Sequence, residues 1–96
     1  MADSIFSTHS SDIQDAADLY QRAAQALLLA YQRNKEATRH HARGAFRAAH
    51  YHARMSAEHA TDAEIQLEKA LALSKILSDQ DAVQLNSREF NGQSKH

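Results

Sequence analysis

Cysteine and proline are missing from the 96-residue chain, tryptophan is absent, and glycine occurs only twice. Without cysteine there is no disulfide framework, no thiol nucleophile and no cysteine-based zinc site. Two glycines are too few for a phosphate-cradling loop of the P-loop or dinucleotide-binding kind. No run of β-branched residues supports a strand. The longest apolar cluster, Ala26 to Tyr31, is six residues, whereas a bilayer needs about 20, so no membrane span is expected. Residues 1–12 have neither a basic start nor an apolar stretch, so no secretory signal is read there. These absences fit a cytoplasmic protein, with the nucleus as the other compartment. The formal net charge is only -1, which excludes nucleic-acid binding by bulk charge but leaves a local patch open.

What the chain does have is alanine, 19 residues of it, against 17 of Leu, Ile, Val and Phe together. Alanine is the strongest helix former and the smallest core residue. The reading is an all-α fold, an antiparallel helical hairpin or a three-helix bundle with coiled-coil character and flexible termini. Residues 1–10 form a flexible N-terminus, 11–78 a single helical domain and 79–96 a flexible polar tail.

Ser11 and Gln14 resemble a capping box, and Asp12, Asp15 and Asp18 place negative charge where a helix N-terminus favours it. Ile13, Ala17, Tyr20, Ala24, Leu27 and Tyr31 then recur at steps of four and three, an apolar stripe on a helix from about Ser11 to Gln32. Arg33 to Glu36 reads as a turn capped by Asn34, or as exposed helix. A second pattern runs from Ala37 to Met55, with Ala42, Phe46, Ala49 and Ala53 as its stripe. Gly44 is the competing boundary. Thr61 and Glu64 match a capping box that either opens a third helix or lies within one long helix from about 45 to 78. Ile65, Leu67, Leu71, Leu73, Ile76 and Leu77 carry the apolar surface there. An alanine-lined core buries little area, so self-association or docking on a protein partner is expected.

The near-neutral total hides segmentation. Residues 1–21 hold four acids and no bases, 22–54 hold seven bases against Glu36, and 55–81 hold six acids against Lys69 and Lys75. Arg39, Arg43, Arg47, His50 and Arg54 share one face if the helix is unbroken through Gly44. They are the candidate residues for binding nucleic acid or an acidic partner, since the arginine fork matches phosphate and carboxylate oxygens. The alternative is that they pair with the acidic helices of the same fold.

The chain carries seven histidines. No His-x-x-His, His-x-x-x-His, His-Glu-x-x-His or Glu-x-x-His spacing occurs, so no metal site and no cofactor are assigned. A histidine-containing metal- or ligand-binding bundle is the alternative function. No nucleophile elbow occurs, and Glu58/Asp62 and Glu64/Glu68 read as a solvated helix face; no catalytic residue is assigned and an enzyme is not expected.

Arg43-Gly44, Ala48-Ala49-His50 and Glu58-His59, followed by Ala63, Ile65 and Ala70, resemble the helical domain of unknown function that precedes Smr (small MutS-related) domains. The resemblance spans about residues 30–78. It implies a helical accessory element near RNA or DNA metabolism and a turn at Gly44. Ser56 stands where that family often has glycine, the stretch before Arg43-Gly44 is short for the family, and no Smr domain follows, so no nuclease activity carries over. The expected function is thus a non-enzymatic helical interaction or adaptor module.

Overall fold

The computed structural model describes the backbone of residues 2–94 and the side chains of residues 11–81. Two helices make up the fold: α1, Ala2–Ala42, and α2, Phe46–Ser94. They return antiparallel on one another as a thin rod with extents of 73 × 32 × 13 Å. Of the two expected architectures the hairpin is the one found. The described residues contain no third helix, so the three-helix bundle is corrected. The helical backbone also runs through residues read as polar termini. Side chains of residues 1–10 and 82–96, and the mobility expected of them, lie outside the described residues.

The turn sits at Gly44, not at Arg33–Glu36. Gly44 has φ 78°, the left-handed region that only glycine enters without strain. Around it the Gly44 amide donates to the His41 carbonyl at 3.0 Å and the Ala45 amide to the His40 carbonyl at 2.9 Å. This paired closure is the Schellman ending of a helix, with glycine at its first residue beyond the cap. The Ala45 carbonyl then accepts the first bond of α2, from the Ala49 amide at 3.0 Å. Asn34, with no need to cap, lies inside α1, where Thr38 Oγ donates to its carbonyl. Thr61 likewise sits mid-helix and turns its hydroxyl back to the Ala57 carbonyl. A capping residue inside a continuous helix satisfies itself in this way, so its motif does not mark a boundary.

Among the described residues the buried ones are all alanine: Ala16, Ala23, Ala26, Ala30 and Ala37 on α1, and Ala49, Ala63 and Ala70 on α2. Most lie seven residues apart, the heptad spacing that keeps one seam facing a partner helix. The register is fixed by Ser56, whose Oγ donates to the Ala30 carbonyl across the hairpin at 2.7 Å. Stepping seven residues forward on one helix and back on the other sets Ala23 against Ala63, Ala16 against Ala70 and Ala37 against Ala49. Ser56 takes the alanine place in its own layer. A hydroxyl two bonds from Cα reaches a backbone carbonyl of the other helix only if the backbones run close. Alanine permits that approach. The second seam line is Leu19, Ala26, Arg33 and His40, answered by Leu73, Gln66, His59 and His52.

The expected apolar stripe of α1 is therefore displaced by one residue, about 100° around the helix. Ile13, Leu27 and Tyr31 are 50%, 53% and 60% exposed. Phe46, Ile65, Leu71 and Ile76 are exposed on α2 as well. Bulky residues would hold the helices apart, and the seam that lets them close wins.

Ala63→Leu should force the seam open and cost about 1–3 kcal/mol, whereas Ala72→Leu on the exposed surface should stay within about 0.5 kcal/mol; chemical denaturation of both variants measures the difference. Gly44→Ala has no atom within 4 Å of the added Cβ, so its expected destabilisation of about 1–2 kcal/mol is backbone strain alone.

Candidate functional site: a basic tip and an uncharged face

At the turn end of the hairpin two seam histidines meet. The His40 and His52 rings stack with centroids 5.1 Å apart and planes 4° from parallel. One turn back on α1, Glu36 lies 3.8 Å from His40 Nε2 through one carboxylate oxygen and accepts from Arg39 Nη1 at 2.7 Å through the other. Arg33 Nη1 lies 3.2 Å from His52 Nδ1. Arginine has donors only, so Nδ1 of His52 accepts. Tyr51 packs edge-on to His52 at 5.3 Å.

Glu36, His40 and His52 each offer one donor atom, and these atoms lie within 4.8 Å of one another. All three residues are half-buried. A glutamate and two histidines form a donor set suited to zinc or copper. Against this stand two guanidinium groups. Arg39 already engages Glu36, Arg33 already occupies Nδ1 of His52, and both would repel an added dication. Sequence reasoning missed this cluster. The signal for it is Glu36-x-x-x-His40, an i, i+4 pair that shares a helix face and is neither a His-His nor a Glu-x-x-His spacing. His52 joins them only because the chain reverses at Gly44.

The five candidate binding residues fall on both sides of the turn. Arg39 ends α1, Arg43 lies in the turn, and Arg47, His50 and Arg54 follow on α2. The single-helix stripe through Gly44 is thus corrected: a left-handed glycine separates its members. All five are exposed and gather at one end of the rod. The alternative, pairing with acidic helices of the same fold, is not seen among the described residues. Their ion pairs, Arg39–Glu36, His40–Glu36 and Lys75–Asp79, each lie within one helix.

A second feature is the side of the rod marked by an open groove between Thr38 and His41 of α1 and Phe46, His50 and Ala53 of α2. His41 and Phe46 meet there edge to face at 5.1 Å. Heptad steps from these residues carry the same side along the rod. On α1 they pass through Asn34, Tyr31, Leu27, Ala24, Tyr20, Ala17 and Ile13. On α2 they pass through Ala57, Ala60, Glu64, Leu67, Leu71, Ser74, Ser78 and Asp81. Glu64 and, at the open end, Asp81 are the only acids among them, and there is no lysine or arginine. The opposite side carries Asp15, Asp18, Arg22, Glu36 and Arg39 on α1, with Glu58, Asp62 and Lys69 on α2. The stripe read as core is therefore real, but it lines an outer face.

No described helix is long and apolar enough to cross a membrane. Neither family models, curated proteins nor solved structures give a match to this chain.

Proposed function

We propose that the chain is a non-enzymatic helical interaction module, an adaptor that docks partner helices on its uncharged face and engages acidic groups at its basic tip. The observation that carries this reading is the contrast between core and surface. The buried residues among those described are all alanine, while Leu27, Tyr31 and Phe46 are more than half exposed. Fully burying a large apolar side chain contributes about 1.5–3 kcal/mol, and this hairpin forgoes that at each of them. Contiguous apolar surface of this kind marks an interaction site rather than ordinary exposure. An acidic protein partner suits the tip better than a phosphate backbone, because Gly44 divides the arginines that would track one. The accessory role in RNA or DNA metabolism implied by the Smr-preceding resemblance would draw on the same tip. Action in the cytoplasm fits this reading.

Charging the face tests it. Tyr20→Glu combined with Leu27→Glu should abolish assembly while leaving the helical circular dichroism of the 10.7 kDa chain intact, as read by sedimentation of both proteins alone and in cell extract. Identical mass and melting temperature for wild type and variant under both conditions would sink the proposal.

A second reading is favoured by the Glu36–His40–His52 cluster: a metal-binding hairpin tip. Calorimetric titration with Zn2+ or Cu2+ should then give one ion per cluster, lost in His40→Ala and in His52→Ala. Arg33→Met should tighten it by removing the competing cation. Absence of binding, or binding indifferent to both histidines, excludes this use.

A further inference from the structure

We infer that the uncharged face is covered by a second copy of this chain, laid antiparallel so that each basic tip lies over the acidic open end of the other hairpin. The inference rests on the docking reading above and names the occupant. Charge complementarity argues for it. The tip half, residues 33–58, holds Arg33, Lys35, Arg39, Arg43, Arg47 and Arg54 against Glu36 and Glu58. The described open half holds eight acids, from Asp12 to Asp18 on α1 and from Asp62 to Asp81 on α2, against Arg22, Lys69 and Lys75. These opposite charges do not meet within one hairpin. The described ion pairs are all within a helix, and the two ends are separated by several screening lengths of about 10 Å. An antiparallel copy brings together those on or beside the covered face, Lys35, Arg47 and Arg54 of one copy against Glu64, Glu68 and Asp81 of the other. A tip-to-tip copy sets basic end on basic end, which like-charge repulsion disfavours.

The pattern along the face suits a two-fold axis, which places one surface against itself. Leu27 lies midway between Ile13 near the open end and His41 at the tip. An axis there sets Leu27 against Leu27 of the second copy. From the His41–Phe46 contact, heptad steps place Ala60 of α2 level with Leu27. Around Ala60 the antiparallel copy carries Arg54, on the flank of the face, to the level of Gln66, about 3 Å along the helix from Glu68 on the same flank of the second copy. Four helices then enclose the apolar side chains that two leave in water, as in a bundle assembled from two hairpins.

The absence of native cysteine makes site-specific labelling direct. Sedimentation equilibrium should give twice 10.7 kDa, with dissociation rising as salt screens the charges. Spin labels on Ala45→Cys at the two tips should lie about 50 Å apart, from the helical rise between the axis and the turn. Arg54→Glu and Glu68→Arg should each weaken the dimer by roughly tenfold, two symmetry-related pairs being lost, and the double swap should restore it. Circular dichroism confirms that each variant folds. Labels within about 20 Å of each other, the reach of adjacent packed helices, would mean a tip-to-tip copy. That overturns this inference and leaves the docking reading standing. A monomeric wild type also overturns it. If the Tyr20→Glu, Leu27→Glu variant then sediments in cell extract as the wild type does, the docking reading falls with it.

Discussion

Ser56 reaches the Ala30 carbonyl across the hairpin because nothing larger than a methyl group separates the helices along their principal seam. This close approach governs the remaining structure. It selects the antiparallel register in which alanines at seven-residue intervals oppose one another. It turns Ile13, Tyr20, Leu27 and Tyr31, next to the seam, outward. Dispersion contacts between near backbones replace the interlocked side chains of an ordinary core, and because alanine buries little area the hairpin's apolar capacity is left largely unused.

The same register composes the tip. His40 and His52 occupy facing seam places and stack, with Arg33 and Glu36 as the polar groups that accommodate them. Half-buried polar groups need partners, and these four supply one another's. The seam therefore changes along the rod, from small and apolar at the open end to imidazole and guanidinium near the turn. The electrostatic polarity of the rod follows from the chain reversal, which folds one continuous basic segment back on itself and leaves the acidic segments on either side of it at the far end.

Much of this was legible in residues. Alanine abundance and the want of proline and β-branched runs point to helices, and the Arg43-Gly44 boundary was one of two candidates for the turn. The choice between Gly44 and Asn34 turned on backbone conformation: only a residue without Cβ enters the left-handed region freely, while Asn34 is also at ease within a helix. The capping signals at Ser11 and Thr61 misled because a hydroxyl that can cap a helix can equally bond back to a carbonyl four residues earlier, as Thr61 does. The Glu36–His40 spacing was in plain view, but its third member lies across the turn.

The apolar stripe shows where local pattern stops. The sequence by itself determined that the chain is helical, that its apolar residues are periodic and that its charges are segmented, because these depend on propensity, spacing and composition. Only the tertiary structure decided which of two adjacent stripes is core. Ile13, Tyr20 and Leu27 have the larger transfer energies taken singly. Burial, however, is shared between two surfaces, and the alanine stripe one residue away lets the backbones meet.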